Sequence, residues 1–219
     1  MTDAHCHVSC GESSVREFLV GRDVFGVHPW DVPESAAARA AALEGVRSAL
    51  LSNQRAGVGE IGLDRLRAKD IPPEMREMFT AQLELALELD RPVVLHGAKC
   101  WGQVVSAIKA VGAAHARGFG KPFIFHGFSR SDGLIPEIVA MNGYISIGPA
   151  ILNDHAVNYR ELAKAVPEDR LLVETDRTAE SAAVSIGDVL AKLAEVRGVS
   201  AAALERATDA NAYRSFALF

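Results

Sequence analysis

Cysteine is scarce: Cys6, Cys10 and Cys100 are the only three in 219 residues. An odd, low count favours reduced thiols over a disulfide framework, so a cytoplasmic location is expected. No apolar run approaches the ~20 residues that a membrane span needs, and no membrane partner is expected. The chain is polar from its second residue and shows no secretory signal. Basic charge is not in excess, for the net charge is −5. A polyanionic partner would therefore have to be attracted locally, by a metal or by a few placed Lys and Arg side chains. Internal repeats, low-complexity tracts and linkers are missing. So is the glycine-rich phosphate loop that follows the first strand of a dinucleotide-binding sheet.

What is present is a single domain, residues 1–219, with 49% hydrophobic and 23% charged residues, an ordinary globular balance. Short β-branched or apolar runs alternate with longer Ala/Leu/Glu-rich stretches. The predicted strands are "DAHCHV", "VFGVHP", "AGVGEIGLD", "RPVVLHG", "KPFIFHGF", "GYISIG" and "LLVETD". The predicted helices are "PESAAARAAALEGVRSALL", "PPEMREMFTAQLELALEL", "CWGQVVSAIKAVGAAHA", "SDGLIPEIVAMNG", "SAAVSIGDVLAKLAEVRG" and "SAAALERATDANAYRSFAL". Such alternation implies βαβ units and a parallel sheet. Polar residues gather at the C-terminal ends of the strands, where α/β barrels carry their sites, which favours a TIM-like (β/α) barrel.

Of seven histidines, His5, His7, His28, His96 and His126 fall at predicted strand ends; His115 falls in a helix and His155 near a helix start. One strand-end histidine reads most simply as a hydrogen-bonded core imidazole. Five at one end of one sheet do not. Side chains alternate along a strand, so His5 and His7 share a face, Asp3 lies one pleat below, and Cys6 turns outward, where it is expected to pack on outer helices. Glu60 ends "VGE", His96 "VVLH", His126 "FIFH" and Asp176 "VETD". Imidazoles with carboxylates suit Zn, Mn, Fe, Co or Ni better than Mg, although Mg stays among the expected ions. Six ligands exceed what one tetrahedral ion with an open position takes; they suit two divalent ions about 3.5–4 Å apart, bridged by a carboxylate. Glu174 alternates with Asp176 and should support a ligand histidine from below. Asp64 is either a supporting group or a turn cap. His28, held extended by Pro29, is expected at substrate rather than metal. Trp30 is read as a cover on the barrel rim.

In their order, "DAHCH", "GVHPW", "GEIGLD", "PVVLHG", "FHGFS" and "LLVETD" resemble the TatD-related hydrolases, a branch of the metal-dependent amidohydrolase-like TIM barrels. "NAYRSFAL", with Asn211 and Arg214-x-Phe216, is similar to the closing helix of that family. The resemblance covers most of the chain. It implies a two-metal hydrolase, with one ion held by His5, His7, Glu60 and Asp176 and the other by Glu60, His96 and His126, Glu60 bridging. Members that have been characterised act on DNA, some as 3′ to 5′ exonucleases.

The departures from that pattern lie near substrate. Val8 to Val27 leaves room for one connection with its own helix and no extra strand, so the barrel is expected to have seven strands or a distortion near its N-terminus. Gly127 replaces a cysteine, Lys99 an arginine, and Arg177-Thr178 stand where a proline usually follows "ETD". The leading expectation is a metal-dependent phosphodiesterase, a deoxyribonuclease on DNA ends, with Asp176 and Glu60 catalytic and His28, Lys99 and Arg130 at substrate. The alternatives are a metal-dependent hydrolase of a small ester, amide or phosphoester and, from another class, an inactive metal-binding or interaction module. The polymerase-and-histidinol-phosphatase barrel also opens on H-x-H but matches "GEIGLD" and "LLVETD" less well.

Overall fold

The computed structural model describes residues 1–67, 69–181 and 184–216, and the predicted helix residues at 182–183 and 217–218 lie outside them. Eight parallel strands follow one another in chain order. β1 (Thr2–Cys6) pairs with β2 (Arg16–Leu19). β3 (Val24–Phe25), β4 (Gly57–Asp64), β5 (Val93–Ala98), β6 (Phe123–Phe125), β7 (Gly143–Ile147) and β8 (Leu171–Val173) form a six-stranded parallel sheet in that order. Two seams join the sheets into a ring. At one, Val20 bridges to Val24. At the other, the Asp176 amide donates to the His5 carbonyl at 3.0 Å and the His7 amide to the Arg177 carbonyl at 2.8 Å.

The second seam carries no regular ladder, and the Asp3 carboxylate stands in for it. It accepts from the Thr175 amide (2.9 Å), the Thr175 hydroxyl (2.6 Å) and the His5 amide (3.3 Å). These bonds satisfy strand-edge donors that would otherwise be buried unpaired.

The Val8–Val27 segment differs from expectation: it adds a strand, β2, and holds no helix. The loop from β1 to β2 is tied by one side chain instead. Glu17 Oε1 accepts from the Cys10 amide (2.6 Å) and Oε2 from the Ser9 hydroxyl (2.5 Å). Ser9, Gly11, Ser13 and Ser14 favour turns over a helix here. Cys6 is buried, and its thiol points at the Phe18 carbonyl on β2 (3.8 Å).

Outside the ring lie α1 (Ala36–Ser52), α2 (Pro73–Leu89), α3 (Trp101–Ala114), α4 (Ile135–Ala140), α5 (Val157–Ala165), α6 (Ile186–Arg197) and α7 (Ala201–Ser215). Ser35 and Ser200 cap α1 and α7, and Ser185 with Asp188 forms a capping box on α6. α5 is the helix the strand-helix pattern does not predict; "VNYRELAKA" is short and lacks a side-chain cap. Leu95, Phe125, Ile145 and Val173 face these helices. Their strand neighbours Val94, Ile124, Tyr144 and Leu172 fill the barrel with Ala4, Phe18 and Val24. α7 stoppers the N-terminal end: Phe216 stacks on Phe18 at 3.6 Å, and Asn211 Nδ2 donates to the Glu168 (2.7 Å) and Leu171 (2.8 Å) carbonyls. The opposite end is left for polar side chains.

Candidate metal centre

His5, His7, Glu60, His96, His126 and Asp176 converge at the C-terminal rim, brought there by β1, β4, β5, β6 and β8. Gly62 makes the approach of β4 and β5 possible. Its φ is +153°, and a Cβ there would lie 1.9 Å from the His96 carbonyl oxygen.

Glu60 is the hub, and its two oxygens divide the histidines. Oε2 lies 3.3 Å from His5 Nε2 and 3.5 Å from His7 Nε2. Oε1 lies 2.7 Å from His96 Nδ1 and 2.7 Å from His126 Nε2. Asp176 Oδ1 adds to the first group, 3.7 Å from His5 Nε2 and 3.5 Å from His7 Nε2. Behind the second group stand two further carboxylates. Asp64 Oδ2 is 2.9 Å from His96 Nε2, and Glu174 Oε1 is 3.4 Å from His126 Nδ1 while accepting from the Gly127 amide at 2.7 Å. Each of these two rings thus turns one nitrogen to Glu60 and the other to a supporting carboxylate, the arrangement that orients a ligand histidine.

The electrostatics follow from burial of opposite charges. Burial would raise Glu60, but His126, His5 and His96 hold its carboxyl well below the usual range. Burial would lower His126, yet Glu60 and Glu174 hold it well above the imidazole range. Burial works against ionised Asp176 too; the His7 hydrogen bond and the charges of His126 and His5 outweigh it, and the carboxyl is lowered. Asp3 is raised to about 6 by burial, only partly offset by its bonds to Thr175.

The donor set fits divalent metal. Neither ring nitrogen of buried His5 has a well-aligned hydrogen bond, Nε2 having only its 3.3 Å and 3.7 Å approaches to Glu60 and Asp176, and a cation coordinated at Nε2 removes a deficit of about 1–3 kcal/mol. His5, His7 and Glu60 offer atoms mutually within 4.8 Å, as do His5, His126 and Asp176. A mixed nitrogen and oxygen set favours transition metals over Mg.

A family model described as TatD related DNase matches residues 21–217. The chain belongs to the TatD family of metal-dependent hydrolases. The 3′-5′ ssDNA/RNA exonuclease TatD of Cronobacter sakazakii is 30% identical over 213 residues, covering 87% of this chain and 75% of that protein. The uncharacterized metal-dependent hydrolase YabD of Bacillus subtilis is 34% identical over 119 residues, which are 54% of this chain and 45% of YabD. The fold matches the crystal structure of YjjV, a TatD homolog of Escherichia coli, with a TM-score of 0.71 at 24% identity over 94% of this chain and 78% of that one.

Against this TatD frame the remaining side chains take their places. His28 reaches the hub: its Nε2 lies 3.6 Å from Glu60 Oε1, and with Glu60 and His96 it forms a third group of close donor atoms. Its Nδ1 accepts from the Trp30 amide at 3.1 Å, which leaves the proton of the neutral ring on Nε2. His28 therefore faces the centre as a donor. Lys99 and Arg130 are exposed just beyond β5 and β6, both with left-handed backbone (φ 58°). Asp3 touches no ligand ring and serves the β1/β8 seam. Gly127, at φ +56°, suits a left-handed turn that a cysteine would strain. Arg177 is buried and lies 3.6 Å from Glu17 Oε1, so it belongs to the β1–β2 loop and not to the mouth. Sequence reasoning missed Arg67, whose guanidinium lies 3.6 Å from the Trp30 ring centroid. An arginine in an irregular loop gives no periodic signal.

Proposed function

We propose that this TatD-family chain is a two-metal phosphodiesterase acting on single-stranded DNA ends. The observation that supports the reading is the division at Glu60, one oxygen facing His5 and His7 and the other His96 and His126. A carboxylate so placed can bridge two cations and offset their repulsion. His5, His7, Glu60 and Asp176 would hold one ion, and Glu60, His96 and His126 the other. Bound divalent ions supply Lewis acidity, drawing charge from a phosphoryl oxygen and easing the deprotonation of water. The protein's own groups do the rest. Asp176, its side chain 47% exposed, is open to the mouth and ionised, so its free oxygen can take a proton from an attacking water. His28 presents Nε2–H to a phosphoryl oxygen. Lys99 and Arg130 flank the mouth and can hold neighbouring phosphates. Residues 1–219 act as a single domain in the cytoplasm.

One observation favours a second reading, a small ester, amide or phosphoester as substrate. Beside Asp176 opens a cavity of about 1210 Å³, and its walls carry Arg130 against Asp132 and Glu161. That mixed charge suits a small molecule as well as a nucleotide. The test is metal analysis of the purified protein, coupled to assays on 3′-labelled single-stranded DNA and on bis(p-nitrophenyl) phosphate. Two ions per chain with trimming of the oligonucleotide support the nuclease. One ion, or turnover of the small diester alone, rejects it.

A further inference from the structure

We propose that Trp30, with Arg67 over its ring, is the seat of the nucleobase next to the scissile phosphate, resting on the nuclease reading above. Trp30 is 45% exposed although three neighbours already hold it. Its indole sits beside Asp64, the carboxylate behind His96, and helps to hold that carboxyl low. Its ring meets His28 edge to face at 5.1 Å and lies 6.4 Å from the His96 ring, beside the metal centre. A large aromatic surface left in water at an active-site mouth is costly unless a ligand covers part of it. An indole held between the Arg67 guanidinium and the His28 ring keeps a stiff apolar surface, which is what base stacking uses.

The charge around it fits a strand. Arg65, Arg67 and Lys69 follow β4, Lys99 follows β5, and all four are exposed. The 65–70 segment carries one carboxylate, Asp70, beside its three cations, and the buried Asp64 precedes it. This basic rim is built on the segments after β4 and β5, and the cavity of mixed charge on those after β6, β7 and β8. A guanidinium stacked on indole can accept a base on its plane while its edge donates to phosphate. The strand then runs over the β4–β5 rim, its terminal nucleotide beyond the metal centre in the cavity beside Asp176.

The chain has two tryptophans, and the other, Trp101, is 3% exposed, so quenching by contact with a bound base reports on Trp30. Metal-loaded protein is titrated with a phosphorothioate oligonucleotide that resists cleavage, following emission and, separately, anisotropy. Binding is expected to quench the parent. Trp30→Phe should bind within about threefold of the parent but without the quench. Trp30→Ala and Arg67→Ala should each bind about tenfold or more weakly. An oligonucleotide abasic at the nucleotide next to the scissile bond should bind the parent as weakly as the full one binds Trp30→Ala, and that variant should lose nothing more. A purely structural role for Trp30 predicts the opposite, with the abasic change and the alanine adding in full. Unquenched binding by the parent, or full affinity in Trp30→Ala, overturns the base seat and leaves the nuclease reading standing. If the parent hydrolyses bis(p-nitrophenyl) phosphate but neither binds nor cleaves oligonucleotide, the nuclease reading fails first.

Discussion

At the scale of the residue, Glu60 concentrates the chemistry. It is 3% exposed, and four histidines lie within 3.5 Å of its oxygens. Glu60→Gln keeps the shape and removes the charge. Turnover should fall by more than about 100-fold, beyond the 10–100-fold typical when only a supporting group is lost. Thermal unfolding should stay cooperative, because the barrel filling is apolar and lies below the centre. Turnover, metal content and melting measured on one preparation check this, and retained turnover with full metal content would remove Glu60 from the bridge. Asp64→Asn tests the layer behind: His96 loses its charged partner, and metal affinity should drop by about 10–100-fold. Titration of the metal-stripped variant reads that loss.

At the scale of the element, α7 and the β1–β2 loop decide stability. Phe216 stacks on Phe18 at the base of the barrel, so Phe216→Ala should cost about 3–5 kcal/mol in denaturant unfolding, and Phe216→Leu much less. In the loop, burial would raise Glu17, but the Cys10 amide, the Ser9 hydroxyl and Arg177 outweigh it and lower its carboxyl below 4.5. A depressed folded-state value means stability that is present above the unfolded value and lost as pH falls through the folded one. Glu17→Gln should therefore be less stable than the parent by a constant amount above about pH 5, with the gap closing in more acid solution. A gap that widens in acid would contradict this assignment. These elements also mark where sequence reading stops. Strand ends such as "VVLH" and "VETD" announce the site because period-two alternation fixes which side chains share a face. β2 escapes because four residues, "REFL", carry too little pattern, and because a side chain, Glu17, does the work expected of a helix. Asp3 was legible as an acid on the His5 face, one pleat below it. Its partner, Thr175, lies 172 positions away, a separation that no local rule spans.

At the scale of the whole molecule, the candidate ligands come from five strands, so metal held by them would be tied to folding. A ligand present at 100 times its dissociation constant stabilises by ~2.7 kcal/mol. For a chain of this size that is about 5–10 °C in Tm. Chelation should lower the melting temperature by that amount, and readdition of metal should restore it; calorimetry in both states checks it, and an unchanged Tm would argue against ions held by the ring. The β1/β8 seam gives this coupling a place. Within the two sheets the ring is held by ladders and at the β2/β3 seam by an isolated bridge; here it is held by three backbone bonds, from the amides of His7, Val8 and Asp176, and by one carboxylate. That makes it one of two lines along which the cylinder can breathe, and the amides of His7, Thr175 and Asp176 should exchange with solvent sooner than those of β5 or β6. His5 and His7 stand on one bank of this line and Asp176 on the other. An ion shared by the three is a clasp across the opening, and slower deuterium uptake at those three amides on loading would show the clasp closing.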